Sequence, residues 1–383
     1  MNHELLLGWW DTAARDLPWR RPDCTAWGVL ISEIMLQQTP VSRVEPIWHE
    51  WLARWPVPSA MAASSQGEVL RMWGKLGYPR RAMRLHEAAT VIARDHGDVV
   101  PSDVETLESL PGIGSYTARA VATFAYGQKC AVVDTNVRRV VARAVHGAGD
   151  AGPPSTKRDL RDVEAILPED QHDAAVFSAA LMELGALICT AKNQKCADCP
   201  LFAECAWQLN GRPAYAGPEK KVQKFAGTDR QVRGKLLDVL RGAPGPVPKV
   251  QLDVVWNDVT QREKCLVSLL SDGLVEQSDD GLFHLPGEGI VQQSNDGRAP
   301  ASPEPTASPV PTAARSSLAP LPSDRIVQQS DDGLSRLPAE GIVQQPHDAL
   351  SPPPDRGIDQ QSHDGLFPLP DRRIVQQSNK GTA

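Results

Sequence analysis

The chain has 383 residues, 41% of them apolar, and all ten of its tryptophans lie before residue 257. That allows two or three domains with substantial cores and leaves the C-terminal third almost no core-forming capacity. No apolar run approaches a membrane span, and Leu5-Leu6-Leu7 lacks the basic flank and cleavage site of a secretion signal, so a cytoplasmic protein with no membrane contact is expected. The net charge of −7 argues weakly against a nucleic-acid partner, yet residues 1–226 are near neutral, with 25 Lys and Arg against 26 Asp and Glu. Binding to a polyanion must therefore come from local clusters and helix ends.

Residues 1–225 read as nearly all helix. Candidate helices cover Asn2 to Asp16, Ala26 to Gln37, Ser42 to Trp55, Ser65 to Trp73 and Pro79 to His96, with Pro56-Val57-Pro58 and the stretch Gly74 to Pro79 as punctuation. Within WGVLISEIMLQQTP (27–40), Glu33 falls between Ile31 and Ile34. A carboxylate in so apolar a helix is costly without a partner or a task; the plainer reading is a solvated helix face.

Leu110 to Ala144 organises the rest. Ser102 and Asp103 can cap a short helix carrying Val104, Leu107 and Leu110 on one face, and Ser115 is read as the cap of a helix that is apolar at Ala118, Val121, Ala122 and Ala125 and stopped by Gly127. Between them, Gly112 and Gly114 let the backbone turn sharply and approach another surface, with the next helix's free amides pointing outward as a phosphate site. An ordinary corner between two helices is the competing reading. Ala131-Val132-Val133 then delivers Asp134, Thr135 and Asn136 to the start of a helix bearing Arg138, Arg139 and Arg143. An Asp in that place is usually a helix cap.

Cys189, Cys196, Cys199 and Cys205 are separated by six, two and five residues. Four thiols so close in a cytoplasmic chain indicate a metal centre rather than disulfides, and the spacing alone does not separate zinc from iron–sulfur. Lys192 and Lys195 sit in the same loop, where they could meet phosphates; Cys24, Cys130 and Cys265 read as ordinary buried thiols. From 227 to 287 three short helices (Arg230 to Leu240, Lys249 to Val255, Thr260 to Leu270) precede two short strands around the turn Ser278-Asp-Asp-Gly281, the order of a small winged helix. Its third helix carries only Arg262, Glu263 and Lys264 and its wing is acidic, so packing or protein contact is expected of it rather than DNA reading. After residue 287 the chain repeats: Ile326, Ile342, Ile358 and Ile374 are each sixteen residues apart, in units that copy LVEQSDDGLFHLPGEG of the wing. These units bury almost nothing, so disorder is expected over 288–383.

The hairpin followed by Asp134 resembles the helix–hairpin–helix DNA glycosylases. WGVLISEIMLQQTP, LPWR (17–20), WGKLGYPRRAMRLHEAA (73–89), LPGIGSYTA and VDTNVRRVVAR resemble, within them, the adenine DNA glycosylases of the MutY family, over roughly residues 1–225. The resemblance implies a mainly α, two-lobed body with a [4Fe-4S] cluster on Cys189, Cys196, Cys199 and Cys205. It implies a monomeric, monofunctional glycosylase that removes adenine mispaired with 8-oxoguanine or guanine from double-stranded DNA. Glu33 becomes the general acid and Asp134, expected to stay ionised beside Arg138, stabilises or attacks the oxocarbenium sugar. Asn136 orients nearby groups and Tyr116 contacts the active-site water or phosphate. Arg15 and Arg20 line the adenine pocket, where the family's Glu or Gln aligns with Ala179. Gln38, Thr39 and Leu76 approach the opposing base, Tyr78 wedges into that strand, and Gly112 and Gly114 serve the hairpin. The family often has a second Tyr where this chain has Pro79. Tyr116 stands where endonuclease III-type enzymes carry a Schiff-base Lys, which opposes an oxidised-pyrimidine glycosylase/lyase. A non-catalytic damage sensor is opposed by the retention of Glu33, Asp134 and all four cysteines. The family's usual C-terminal Nudix-like domain has no counterpart here, which leaves the opposing base to the catalytic body.

Overall fold

The computed structural model describes residues 1–215, 217 and 225–288; the repeats and the disorder expected of them lie outside the described residues. The chain opens with α1 (His3–Ala13), α2 (Ala26–Leu36), α3 (Val41–Arg54), α4 (Pro58–Ala62), α5 (Gln66–Trp73) and α6 (Arg80–Asp95). The caps are those the sequence offers. Asn2, Thr25 and Ser65 each accept a first-turn amide, from Leu5, Gly28 and Glu68. The punctuation at 56–58 hides α4, a helix begun by Pro58 at its first position, where a missing N–H costs nothing.

Next come α7 (Val104–Ser109), the hairpin, α8 (Ser115–Phe124), α9 (Thr135–Ala144), α10 (Thr156–Glu164), α11 (Gln171–Leu187) and the short α12 (Ala206–Leu209) beyond the cysteine loop. Asp103 caps α7 through the Thr106 amide. Ser115 does not cap α8: Gly114 holds the cap position and Ser115 is the first helical residue, its hydroxyl accepting from Arg119. Gly112 has φ +74°, and a Cβ there would lie 2.4 Å from the Arg84 Cβ. Both turn and packing therefore demand glycine.

Two apolar cores divide this body. The first gathers α2 to α8 around Leu30, Ile31, Trp51, Trp55, Trp73 and Leu85; the second joins α1, α9 and α11 through Leu6, Val137, Val140, Phe177 and Leu181. The N-terminal helix thus crosses to the lobe built from residues beyond 130. Tryptophan N–H groups lock the first core to backbone carbonyls, Trp27 to Trp55 at 3.0 Å, Trp48 to Gly28 at 2.8 Å and Trp73 to Gly77 at 2.8 Å.

The C-terminal module follows as α13 (Asp229–Gly242), α14 (Lys249–Asp253), α15 (Val259–Ser271) and the antiparallel pair β1 (Glu276–Gln277) and β2 (Phe283–His284). Gly281, at φ +81°, closes the turn. The module's apolar face, with Leu236, Leu240, Val247 and Phe283, is continuous with the first core. Arg71 of α5 donates to the carbonyls of Leu240, Arg241 and Ala243 at the end of α13 and pairs through two N–H groups with Glu288. Those orphan carbonyls find their donor in another segment of the chain. Arg80 of α6 and Arg233 of α13 meet on Asp272. On the third helix, Arg262 is buried against Asp253 and the Trp256 carbonyl, and Lys264 is paired with Asp229, so its cations are already engaged.

Candidate active site

Three segments deliver the site. Glu33 comes from the middle of α2, Tyr116 from the first turn of α8 and Asp134 from the cap of α9, so the first core supplies two groups and the second core one. Glu33 is only 6% exposed. The Tyr116 hydroxyl donates to its Oε2 at 2.9 Å. Burial pushes the Glu33 carboxyl up to about 7, against the pull of the Tyr116 hydrogen bond; neighbouring Asp134 adds to the rise and Arg20 opposes it. The solvated-face reading of Glu33 is thereby excluded. The one hydrogen bond that the Tyr116 hydroxyl donates goes to Glu33.

Asp134 is a helix cap and more. Its Oδ1 accepts the Val137 amide at 2.7 Å while Oδ2 accepts from Asn136 Nδ2 at 2.8 Å. Burial lifts its carboxyl above the ordinary range, and the Val137 amide, the Asn136 amide and the Arg139 cation work in the other direction. The cation expected beside it was Arg138, but Arg138 turns away to Asp159, 2.7 Å distant. Arg139 takes the place at one remove: its Nη2 donates to Asn136 Oδ1 at 2.6 Å and to the Gly185 carbonyl at 2.7 Å, and its Nε to the Cys189 carbonyl at 2.7 Å. A Cβ on Gly185 would lie 2.6 Å from the Asn136 Cβ, so α11 reaches this corner only with glycine there.

Arg15 and Arg20 do converge, on a carboxylate that sequence reasoning missed. Glu183, 1% exposed, accepts from Arg15 Nε at 2.7 Å, Arg15 Nη2 at 2.8 Å and Arg20 Nη2 at 2.9 Å. Despite burial, these donors hold its carboxyl down at about 2. It lies one helical turn beyond Ala179, the position to which the family's pocket Glu or Gln aligns. The signal was a carboxylate inside the apolar run ALMELGAL, the same signal that singled out Glu33.

The residues expected at the opposing base divide. Gln38 and Tyr78 are exposed and both adopt left-handed backbone, φ 55° and 49°, a conformation that non-glycine residues hold only under constraint. Leu76, in contrast, is 3% exposed and belongs to the first core, so its side chain does not reach a partner; it contributes its carbonyl, which accepts from Thr39. Thr39 is itself buried. Beneath both loops lies Arg81, unremarked in the sequence. Its guanidinium donates to Ile34 and Gln37 carbonyls on one side, Thr39 Oγ1 and the Gly77 carbonyl on the other, and lies 5.3 Å from the Tyr78 ring.

The four cysteines lie close enough to perturb one another. Cys199 is pushed up to about 11 by burial and by its neighbours Cys189, Cys205 and Cys196. Arg143 Nη1 reaches Cys189 Sγ at 3.4 Å, a cation placed to favour thiolate. Among the described residues these thiols form no disulfide, and no three side chains close on a single ion-sized point. Four neighbouring thiols, Cys189 beside a cation, fit the donor set that a [4Fe-4S] cluster takes. Lys192 and Lys195 are exposed on this loop. Of the remaining thiols Cys265 is buried, whereas Cys24 and Cys130 are only partly so.

A two-lobed helical body with a glycine hairpin, and a carboxyl pair where the lobes meet, Glu33 buried and Asp134 half-buried, defines a helix–hairpin–helix base-excision enzyme. A profile of the HhH-GPD superfamily base excision DNA repair proteins matches residues 31–164. The chain is 64% identical over 281 residues to the adenine DNA glycosylase of Mycolicibacterium smegmatis, covering 73% of this chain and 94% of that one. To the adenine DNA glycosylase of Mycobacterium tuberculosis it is 61% identical over 282 residues, covering 73% and 92%. A solved thermostable thymine-DNA glycosylase is similar in fold, with TM-score 0.50 and 28% identity over 54% of this chain and 95% of that structure. The chain belongs to the adenine DNA glycosylase family. Among the described residues no helix is long and apolar enough to cross a membrane.

Proposed function

We propose that this protein hydrolyses the N-glycosidic bond of adenine paired with 8-oxoguanine or guanine in double-stranded DNA, as a base excision repair glycosylase that leaves the strand uncut. The observation that carries this reading is the Glu33 carboxyl, buried, held by the Tyr116 hydroxyl and titrating at about 7. The target adenine leaves the stack, at a cost of about a few kcal/mol, and its departure is the chemical problem. Glu33 keeps its proton near neutral pH and donates it to N7 of the base. The bond between C1′ and N9 then breaks with its electron pair going to the neutralised base. Asp134, aimed by Asn136 and the Val137 amide, faces the oxocarbenium sugar and stabilises it until water adds to C1′ and yields its proton to the Glu33 carboxylate left by the first transfer. Tyr116 has no amine, so no imine to the sugar forms at that position and strand cleavage is not expected.

Arg15 and Arg20, held in place by Glu183, form one wall of the adenine pocket. Gly112 and the free amides of α8 bind a DNA phosphate, and Tyr78 enters the duplex beside the base opposite adenine. Cys189, Cys196, Cys199 and Cys205 would hold a [4Fe-4S] cluster, which when bound would cross-link the loop that Arg139 and Arg143 grip. Single-turnover assays on duplexes with adenine opposite 8-oxoguanine, adenine opposite guanine, and thymine glycol test the reading, with alkali added as a separate step. Adenine release from the first two, and strand breaks only after alkali, is the expected result. Excision of thymine glycol, or nicking without alkali, would assign the chain to the oxidised-pyrimidine glycosylase/lyases instead.

A further inference from the structure

The proposed wedge and the C-terminal module meet at one side chain. Arg230, the second residue of α13, donates Nη1 to the Tyr78 hydroxyl at 2.9 Å. Its guanidinium lies 5.9 Å from the centroid of the Tyr78 ring and 5.2 Å from that of Phe225. All three side chains are exposed. Around them, Arg71 pairs with Glu288, Arg80 and Arg233 with Asp272, and Arg241 with Asp238, while Arg81, 5.3 Å from the same Tyr78 ring, is engaged by backbone carbonyls. Arg230 has no carboxylate partner among the described residues, and the adjacent Asp229 is taken by Lys264 and Gln261. An oriented cation without a carboxylate partner thus stands beside two exposed rings. It is well built for a nucleobase, since rings offer stacking faces and a guanidinium offers a planar fork of donors to a base edge.

We propose that Arg230 is a specificity-determining residue, which donates to the C8 carbonyl oxygen of 8-oxoguanine opposite the target adenine, with Phe225 and Tyr78 as its stacking surfaces. The proposal rests on the reading of Tyr78 as the residue that enters the duplex beside that base. Guanine carries a hydrogen on C8 where 8-oxoguanine carries an oxygen, so only the oxidised base presents an acceptor there. The C-terminal module thereby takes part in reading the opposite strand, through its first helix and not through the third helix or the wing.

The test uses the full chain and its Arg230→Ala and Arg230→Lys variants, in equilibrium binding and single-turnover excision on adenine:8-oxoguanine and adenine:guanine duplexes at several salt concentrations. Arg230→Ala should lower the preference for 8-oxoguanine roughly ten-fold. Lysine should not restore it, because an ammonium lacks the planar fork. Tyr78→Phe, which keeps the ring and removes the anchoring hydroxyl, should shift the preference the same way. Equal losses on both duplexes, with the slope of log affinity against log salt reduced by about one, would place Arg230 on a phosphate and overturn the proposal. An unaltered preference would overturn it too. Should the parent protein excise adenine from neither duplex, the proposed function fails, while the binding preference still decides the role of Arg230.

Discussion

Replacing Glu33 by Gln should abolish excision and raise stability at alkaline pH. The carboxyl titrates at about 7 in the folded protein against an ordinary 4.5. At about 1.4 kcal/mol per pH unit, that separation corresponds to about 3 kcal/mol. Its sign follows from which state holds the proton. Between pH 4.5 and 7 the folded chain keeps it and the unfolded chain does not, so the stabilisation is complete below 4.5 and is lost as pH rises to 7. Above 7 the fold carries a buried carboxylate. Gln carries no charge at any pH and still accepts from the Tyr116 hydroxyl. The variant should therefore melt higher than the parent at pH 8, by roughly 6–12 °C given 2–4 °C per kcal/mol for a body of this size, with the gap closing near pH 4.5. Thermal melts at pH 5 and pH 8 measure this. Single-turnover excision by the parent should fall as pH rises through 7, with none for the variant at any pH. Identical pH dependence of melting in the two proteins would refute the buried, proton-holding carboxyl, and excision by the variant would refute its role as the acid.

Tyr116→Phe removes a hydrogen bond that lowers the Glu33 pKa, so the alkaline limb of the pH–rate profile should move upward while the rate at pH 6 falls for want of positioning; a limb that moves down contradicts the assigned contact. Glu183→Ala leaves Arg15 and Arg20 facing each other without a counter-ion and should cost about 3 kcal/mol by urea denaturation at pH 7, together with most adenine excision. Because the Glu183 carboxyl is held at about 2 against 4.5, its stabilisation should be present above pH 4.5 and vanish as pH falls toward 2, so parent and variant should converge there. Cys199→Ser should lose the yellow-brown colour and most of the iron, about four per chain in the parent; stoichiometric zinc in the parent after anaerobic preparation would remove the cluster from the assignment.

Much of the local structure is legible in the sequence because it is settled by contacts a few residues long. Asp103 meets the Thr106 amide and Asp134 the Val137 amide, each three residues on, so the caps are visible as residue types in place. Glu33 stands out by its apolar neighbours, and Gly112 by the turn that only glycine fits. Partners remote in the chain are another matter. Arg15 and Glu183 are 168 residues apart and Arg230 and Tyr78 152 apart, and each pair exists only once two segments close on each other. For the same reason the sequence does not distinguish Arg138 from Arg139 as the cation near Asp134: it shows a basic helix, and only the packing of α10 against α9 turns Arg138 to Asp159 and leaves Arg139 to face the site. Leu76 and Tyr78 belong to one short loop whose motif suggested that both reach DNA. The left-handed backbone at Gly77 and Tyr78, φ 82° and 49°, sends the leucine into the core and the tyrosine to the surface. That decision belongs to tertiary structure, since the Trp73 N–H on the Gly77 carbonyl and the Arg81 guanidinium beneath the loop hold a conformation that local preference disfavours.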